Sequence, residues 1–236
     1  MMTDEQRERY SRQLLLPELG EEGQERLLSS RVLVVGAGGL GSPVAMYLAA
    51  AGIGTLGIAD GDAVNLSNLQ RQIIHSTHDI GRLKVESAAE KLKRMNPEIN
   101  LHGYPEYITD RNAAALVADY DFVIEASDNP ESRYRINDVC VSLGKPFCMG
   151  GVNRFSGQVM TCRAGSRNYR DVFPDKPSPL SLEKSTPILS PVVGILGSVM
   201  AAEAIKCLAG IGELLVNRLL VFDALAMDFR VFALNR

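Results

Sequence analysis

The segment RVLVVGAGGLG, residues 31–41, is the most informative stretch of this 236-residue chain. RVLVVG (31–36) is a continuous apolar run that predicts a buried strand, and the alanine-rich stretch from Gly39 to Ala51 predicts a helix. The glycines between them have the spacing G-x-G-x-x-G, which permits a tight turn and lets backbone N–H groups approach a phosphate. Because this turn opens a helix, the positive end of the helix adds attraction for an anion. The segment therefore predicts a strand–turn–helix unit that binds a nucleotide.

The same alternation of apolar strands and helical patterns continues along the chain. Further strands are predicted at 55–60, 99–104, 121–126 and 146–151, with helices at 82–95, 110–118 and 131–143. Alternation of this kind is typical of a mostly parallel sheet that is covered by helices on both faces. We therefore predict an α/β, Rossmann-like fold, preceded by two short helices within residues 4–28.

The pattern changes after Gly151, where a short turn predicts that the next strand pairs antiparallel with its predecessor. The later elements are a strand at 157–163, a long crossover loop at 164–190, a helix at 192–209 and strands at 216–223 and 228–233. We expect a single domain over residues 1–236. It comprises a nucleotide-binding core at about 31–151 and an extension with the crossover loop at about 152–236.

Composition and charge argue against several classes of protein. The chain carries 25 basic and 28 acidic residues, so no basic surplus favours nucleic acid or an anionic membrane as a partner. The polar N-terminus has no pattern of a secretory signal, which favours the cytoplasm. The uncharged run at 187–202 is shorter than the roughly 20 residues of a membrane span. It predicts a buried helix instead.

The four cysteines are Cys140, Cys148, Cys162 and Cys207, and no two of them form a CxxC pair. This spacing argues against a zinc site built from four thiolates. All four occupy apolar contexts, which predicts inert thiols in the core. His75 and His78 have a spacing that a metal could use, but no third ligand is near them in the sequence. We expect a surface turn there.

Polar residues follow the carboxyl ends of the predicted parallel strands. Asp60 ends the second strand, where an acid can bond ribose hydroxyls, and the segment NLSNLQRQ (65–72) comes next. Lys84 opens the following helix, and Asp128 and Asn129 lie just past the fourth strand. Sheets of this type bind ligands in the crevice outside these strand ends. We therefore expect the polar residues to surround one phosphate chain.

The charges in this set bear on the chemistry, because the glycine fingerprint alone is shared with NAD-dependent enzymes. Hydride transfer needs no cations beside the phosphates, whereas attack at a phosphate builds negative charge that Arg, Lys and Mg²⁺ stabilise. Arg71 and Lys84 supply cations, and Asp128 offers the hard oxygen ligand that Mg²⁺ prefers. Each of them has an ordinary explanation by itself, as a solvated charge or as part of a helix-capping turn. Their combination favours phosphate chemistry.

Segments over nearly the whole chain resemble a known family. They are RYSRQLLLPELGEEGQERL (9–27), RVLVVGAGGLGSPVAMYLAAAGIG (31–54), NLSNLQRQIIH (65–75), GRLKVESA (81–88), EASDN (125–129), SPVVGILGSVMAAEAIKCLAG (190–210) and VFDALAMDFR (221–230). The chain is similar to the ubiquitin-activating-like (HesA/MoeB/ThiF) adenylyltransferases, and within them to the MoeB/ThiF branch. The resemblance implies ATP-dependent adenylation of the C-terminal Gly-Gly carboxylate of a ubiquitin-like sulfur carrier protein, of the ThiS/MoaD type. Pyrophosphate is released, and the acyl-adenylate then accepts sulfur to become a thiocarboxylate.

The resemblance also implies roles for individual residues. Arg71, Lys84 and Asp128 would be catalytic, together with Arg12 of the partner subunit in a homodimer, and Asp128 would hold Mg²⁺. The implied nucleotide-binding residues are Gly36, Gly38, Gly39, Gly41, Asp60, Ser67, Asn68, Leu69, Gln70, Arg71, Gln72, Lys84, Asp128 and Asn129. Among these, Gly39 would lie against the nucleotide, and Asn68, Arg71, Gln72 and Lys84 would contact phosphates. A carboxylate is already ionised at neutral pH, so the reaction needs no general base.

The chain departs from the family at its thiols. Many relatives bind structural zinc through two CxxC pairs, but Asn168 and Asp171 occupy the expected place of the first pair, and the second would fall beyond Arg236. We therefore expect no zinc. The crossover-loop cysteine is also missing, and Ser181, Ser185 and Thr186 receive no role in its place. This absence argues against a covalent relay and favours a separate sulfur donor protein.

Three alternatives stay open at this point. A close variant adenylates a small-molecule carboxylate or a carboxylate on a tRNA base, although the acidic net charge disfavours tRNA. An NAD-dependent oxidoreductase would explain the glycine fingerprint but not Arg71, Lys84 and Asp128. A non-catalytic scaffold would explain the missing thiols but not the complete set of phosphate-site residues.

Overall fold

The computed structural model describes residues 1–174 and 187–235 and contains an eight-stranded sheet. The strands are β1 (Arg31–Val35), β2 (Thr55–Ala59), β3 (Asn100–Tyr104), β4 (Phe122–Glu125), β5 (Phe147–Asn153), β6 (Ser156–Cys162), β7 (Arg218–Asp223) and β8 (Asp228–Ala233). Their order across the sheet is β3-β2-β1-β4-β5-β6-β7-β8. The chain therefore reverses its direction of travel across the sheet between β1 and β4. In sheets of this type, that switch point is where ligands bind.

The pairing changes from parallel to antiparallel at β5, as the sequence predicts. Strands β3, β2, β1, β4 and β5 are parallel neighbours, with Val32 opposite both Leu56 and Phe122. Strand β6 pairs antiparallel with β5, with Phe147 opposite Cys162, and β7 and β8 continue the antiparallel part. The predicted fold class, a mostly parallel sheet with antiparallel C-terminal strands, is confirmed.

Helices cover both faces of the sheet. They are α1 (Asp4–Arg9), α2 (Ser11–Leu14), α3 (Gly20–Ser29), α4 (Gly41–Ala51), α5 (Lys84–Met95), α6 (Ala113–Ala118), α7 (Pro130–Ser142), α8 (Tyr169–Val172) and α9 (Ser190–Ala209). One apolar cluster joins α3, α4, α5 and α9 to alternate residues of the strands, such as Val32 and Val34. A second cluster joins α6 and α7 to the opposite face through Leu33 and Val35. Successive strand residues thus point into two separate cores, as expected for a sheet that is buried on both sides.

The apolar helix α9 is longer than the uncharged run that predicts it. Within the described residues it is the helix whose length of 20 residues and apolar composition would suffice to cross a membrane. Half of that segment is buried inside the protein, where Val192, Leu196 and Met200 pack in the core. Its contacts with α4, β5 and β6 identify it as a central core helix of this fold.

The structure confirms three of the four expected core thiols. Cys140, Cys148 and Cys162 are buried, whereas Cys207 is partly exposed, so the expectation of complete burial is wrong for this residue. Burial raises the pKa of all four thiols, and that of Cys162 reaches about 12. Thiols with raised pKa values are poor nucleophiles at neutral pH.

Candidate nucleotide site

The glycine-rich turn between β1 and α4 is so tight that two of its positions require glycine. Gly36 has a φ of +97°, and a Cβ there would lie 2.8 Å from the carbonyl oxygen of Ala126 on the neighbouring strand end. A Cβ on Gly41 would lie 1.8 Å from the carbonyl oxygen of Gly36. The turn is therefore pressed against the ends of β1 and β4, at the switch point of the sheet.

The turn presents backbone donors at the start of α4. The Ala37 N–H donates to Asp60 Oδ2 at 2.8 Å. The N–H groups of Gly38 and Gly39 donate to no protein group among residues 1–174 and 187–235. Unpaired amides at a helix N-terminus form a site for an anion such as a phosphate group. This turn therefore fits the phosphate chain of a nucleotide.

Lys84 links the start of α5 to the end of β2 by ion pairs with Asp60 and Asp62, beside the glycine turn. It is the first residue of α5, its side chain is only 6% exposed, and its Nζ lies 2.7 Å from Asp62 Oδ2 and 3.8 Å from Asp60 Oδ2. Burial raises the pKa of Asp60, although Lys84 and two backbone N–H groups oppose the rise. Burial also acts to raise the pKa of Asp62, but hydrogen bonds from Lys84 and Tyr107 outweigh it and lower that pKa. Both carboxylates thus depend on one buried cation.

The predicted segment 65–72 forms a wall of the crevice. It contains a 3₁₀ turn at Leu66–Asn68, closed by the Asn65 N–H donating to Asn68 Oδ1 at 3.0 Å. The Arg71 guanidinium donates to the carbonyl oxygen of Ser67 at 3.1 Å. Ser67 and Gln70 are exposed, and Asn68, Leu69 and Arg71 are half-buried.

Gln72 ends this segment and is buried against the glycine turn. Its Nε2 lies 3.5 Å from the place where a Cβ on Gly38 would be. Its Oε1 is buried and has no hydrogen-bond partner in the described part of the chain. A buried, unpaired polar atom costs free energy unless a ligand or water completes its bonding. The unpaired Oε1 of Gln72 is therefore a second observation that fits a bound nucleotide at this turn.

The loop after β4 holds the expected acid. Asp128 is exposed, and among the described residues it takes part in no hydrogen bond or ion pair. Asn129 caps α7 by accepting from the Glu131 N–H at 2.8 Å. One carboxylate together with phosphate oxygens suits Mg²⁺, which keeps several waters and needs few protein ligands. No cluster of three or more potential metal ligands occurs within residues 1–174 and 187–235.

A buried ion pair supports this loop and has no counterpart in the sequence-based prediction. Glu125, the last residue of β4, is fully buried and accepts from both the N–H and the hydroxyl of Ser127. Arg133 on α7 lies 3.6 Å from Glu125 Oε2 and donates to the Ser127 carbonyl oxygen at 3.1 Å. Burial raises the pKa of Glu125 to about 7, against the opposing effect of Arg133. The pair holds the backbone just before Asp128.

The surface turn expected at His75 is wrong for that residue, although His78 is exposed. His75 is buried, with its Nε2 3.0 Å from the carbonyl oxygen of Ala37 and its Nδ1 2.8 Å from Ser87 Oγ. The error arises because the partners of His75 lie 38 and 12 residues away, and the local sequence carries no signal of them. The sequence-based prediction also omits Asp62. Its place just after a strand end, two residues beyond Asp60, is the kind of position that indicates a site residue.

Arg12 lies far from the glycine turn of its own chain. Gln13, the next residue, donates to the carbonyl oxygen of Ala51 at 3.1 Å, which places α2 at the last residue of α4. The glycine turn lies at the first residue of α4, and the 11 residues between them span about 15 Å at the rise of an α-helix. Arg12 is exposed there, so the structure does not bring it together with the other predicted residues.

Asn168 and Asp171, at the expected place of a zinc-binding CxxC pair, cap a helix. Asn168 accepts from the Arg170 N–H at 3.0 Å, and its own N–H donates to Asp171 Oδ2 at 2.8 Å. This reciprocal pair closes the first turn of α8 through side chains. The positions Ser181, Ser185 and Thr186, and with them part of the predicted crossover loop, lie outside the described residues.

Comparison with known proteins places this geometry in a family. The sequence profile of the ThiF family matches residues 10–236. The chain is 43% identical to the probable adenylyltransferase/sulfurtransferase MoeZ of Mycobacterium tuberculosis, covering 97% of this chain but only 60% of MoeZ. It is 42% identical to the sulfur carrier protein adenylyltransferase of Thermus thermophilus, covering 99% of this chain and 89% of that protein. It is also 46% identical to the adenylyltransferase and sulfurtransferase MOCS3-1 of Zea mays, of which it covers 49%.

Solved structures agree with the fold. The crystal structure of PaaA superimposes with a TM-score of 0.86 at 26% identity, covering all of this chain and 75% of that one. Escherichia coli MccB gives the same TM-score at 24% identity, which bears on the fold alone. The sequence matches confirm the resemblance to the MoeB/ThiF branch, and the solved structures confirm the Rossmann-like fold. The chain belongs to the ThiF family.

Proposed function

We propose that this chain adenylates the C-terminal Gly-Gly carboxylate of a ubiquitin-like sulfur carrier protein at the expense of ATP. The names of the relatives support this proposal, because adenylyltransferase is common to them and the Thermus thermophilus protein is named for a sulfur carrier. The chain spans 60% of the length of MoeZ, so the proposal concerns the part of the reaction that this region can perform.

The observation that carries the proposal is the charge arrangement at the switch point. The free amides of Gly38 and Gly39 follow β1, the buried cation Lys84 opens α5 beside Asp60 after β2, and the exposed carboxylate of Asp128 follows β4, so all belong to the same end of the parallel strands. In adenylation the carrier carboxylate attacks the α-phosphorus, and the bond to the bridging oxygen of pyrophosphate breaks. Negative charge spreads over phosphate oxygens during this step, and fixed donors and cations stabilise it.

Each residue takes a role that follows from its position. Asp60, held by the Ala37 N–H, binds ribose hydroxyls, and Gly39 lies against the nucleotide. Lys84 leaves Asp62 for the phosphates when ATP binds, and Arg71 and the amides of the 65–72 segment contact the same oxygens. Asp128 would hold Mg²⁺, which would supply charge neutralisation at the phosphates.

A homodimer would complete the site. Arg12 lies next to Gln13 at the end of α4, a helix about 15 Å long, that is far from its own glycine turn, which favours its delivery to the nucleotide by a second copy. Leu15 and Leu16, three and four residues after Arg12, are exposed apolar side chains, as expected of an interface. We therefore assign Arg12 of the partner subunit to the active site.

The remaining parts of the reaction involve other molecules. We infer a separate sulfur donor, because all four cysteines of this chain have raised pKa values. The same four cysteines are free rather than paired, which supports a reducing compartment such as the cytoplasm. The reaction described here uses ATP and Mg²⁺ and needs no zinc.

The proposal is tested by exchange of labelled pyrophosphate into ATP. Purified protein, Mg²⁺, ATP and a Gly-Gly carrier should support exchange, and a carrier with an amidated C-terminus should not. Exchange that is independent of the carrier carboxylate would contradict the proposed substrate. Tight NADH binding without any exchange would favour an oxidoreductase instead.

A further inference from the structure

His75 lies directly beneath the glycine turn and links it to helix α5. It is buried, and each of its two ring nitrogens has one partner. The Nε2 atom is 3.0 Å from the carbonyl oxygen of Ala37, and the Nδ1 atom is 2.8 Å from the hydroxyl oxygen of Ser87. Ser87 in turn lies 2.8 Å from the ammonium group of Lys91, one turn further along α5.

The chemistry of these partners fixes where each proton lies. A carbonyl oxygen only accepts, so Nε2 of His75 must carry a proton and donate to Ala37. The Lys91 ammonium only donates, so the Ser87 oxygen accepts from it, and the Ser87 hydroxyl keeps its own proton available for Nδ1. A neutral imidazole, with Nδ1 as the acceptor, completes this set of bonds. Each group in this chain therefore donates to the next one: Lys91 to Ser87, Ser87 to His75, and His75 to the Ala37 carbonyl oxygen.

The groups around His75 oppose a second proton on its ring. Lys91 and Lys84 lie on the first turns of α5, and Asp79 is the facing acid. Burial, aided by the two lysines, lowers the pKa of His75. Asp79 is itself bound to Lys91 and to the N–H and hydroxyl of Ser76, so its charge is already compensated.

Ala37 is consequently held on both sides of its backbone. Its N–H donates to Asp60 at 2.8 Å, and its carbonyl oxygen accepts from His75 at 3.0 Å. The Ala37 carbonyl and the Gly38 N–H belong to one planar peptide unit, so fixing the oxygen fixes the opposite direction of the N–H. In a glycine-rich turn, where φ and ψ are otherwise free, such a restraint determines which way the unpaired Gly38 amide points.

We propose that His75 is a positioning residue for the triphosphate: it locks the Ala37–Gly38 peptide so that the free amide of Gly38 faces the phosphates. The inference rests on the proposed use of ATP. It assigns His75 no contact with the nucleotide and no proton transfer. Its effect should therefore fall on ligands that carry the phosphate chain and leave the binding of the nucleoside, which Asp60 addresses, nearly unchanged.

The test combines a spectroscopic measurement with binding of two ligands. Nitrogen NMR of the full chain should show His75 protonated at Nε2 only, at about neutral pH. The variant H75F keeps a ring but leaves the Ala37 carbonyl without its donor, so the dissociation constant for MgATP should rise about tenfold. Adenosine binding should change by less than about twofold. The variant H75Q retains an amide donor and should restore most of the affinity for MgATP.

The matched control is H78F, which alters an exposed histidine three residues away. It should bind both ligands as the unaltered protein does. A ring protonated at Nδ1, or a folded H75F variant with unaltered MgATP affinity, would overturn the inference while the proposed function stands. If H75F does not fold, the inference stands on Nε2 protonation in the NMR measurement together with near-normal MgATP affinity of H75Q, and it falls if the ring is protonated at Nδ1. If the unaltered protein binds no ATP, the proposed function and this inference fall together.

Discussion

Replacing Lys84 by methionine tests the electrostatics of the site most severely. The substitution keeps most of the side-chain length and removes the one cation that lies 2.7 Å from Asp62 and 3.8 Å from Asp60. Lys84 is 6% exposed and Asp60 is 9% exposed, whereas Asp62 is 47% exposed. The variant therefore leaves a buried carboxylate without its cation, while the second carboxylate is partly solvated.

The expected loss of stability follows from these exposures. Removing one partner of a fully buried ion pair costs about 3–5 kcal/mol. Since water solvates half of Asp62, we expect the free energy of unfolding to fall by about 1–3 kcal/mol. The pKa of Asp60, already raised by burial, should rise further without Lys84. The difference in the free energy of unfolding between K84M and the unaltered protein should therefore become smaller as the pH falls, because a protonated Asp60 no longer needs a cation.

Two assays separate the structural effect from the catalytic one. Urea unfolding of K84M at neutral and acidic pH measures the stability, and pyrophosphate exchange measures the reaction. Exchange should fall by at least about 10²-fold, the usual effect of losing one fixed group that stabilises developing charge. The control K93M removes an exposed lysine from the same helix, whose Nζ donates to the carbonyl oxygen of Ile99 at 3.0 Å, and should leave exchange unchanged. A folded K84M variant with near-normal exchange would refute the placement of Lys84 at the phosphates.

Three further predictions follow from other parts of the site. Asp128→Ala should abolish pyrophosphate exchange without altering the melting temperature, since Asp128 is exposed; residual turnover near normal would refute its role with Mg²⁺. Gly41→Ala should lower the stability measured by thermal unfolding, because the new Cβ would lie 1.8 Å from the Gly36 carbonyl oxygen. The control Gly194→Ala lies in a helix with open space around it and should raise the stability by about 0.5–1 kcal/mol. Glu125, with its pKa raised from 4.5 to about 7, should cause stability to fall as the pH rises through that interval; Glu125→Gln should remove this dependence in urea titrations, and an unchanged pH profile would contradict it.

The sheet and its main helices could be predicted because their signals are local. Apolar runs ended by glycine or charge predict β1 at 31–36 and α4 up to Ala51, and the structure has them at Arg31–Val35 and Gly41–Ala51. The helix predicted at 110–118 is shorter, at Ala113–Ala118. The Asn112 side chain accepts from the N–H of Thr109 and forms a turn that delays its start.

The parts of the site that could not be predicted depend on contacts between distant residues. His75 is buried and bonded to Ser87 and Ala37, and no local pattern identifies these partners. Glu125 occupies a strand position that is buried on all sides, where an apolar residue is expected, and its partner Arg133 comes from the next helix. Motif positions such as Asp60 and Lys84 could be placed at one crevice, because strand ends and helix starts meet at the same edge of a parallel sheet.

The most direct test of the account is detection of the acyl-adenylate itself. The protein is mixed with MgATP and a Gly-Gly sulfur carrier without any sulfur donor, and the carrier is analysed by intact mass spectrometry. We predict a carrier that has gained one AMP group at its C-terminal glycine, and none when the carrier lacks that glycine. A carrier of unchanged mass, under conditions where the protein is folded and binds ATP, would contradict adenylation of the carrier by this protein.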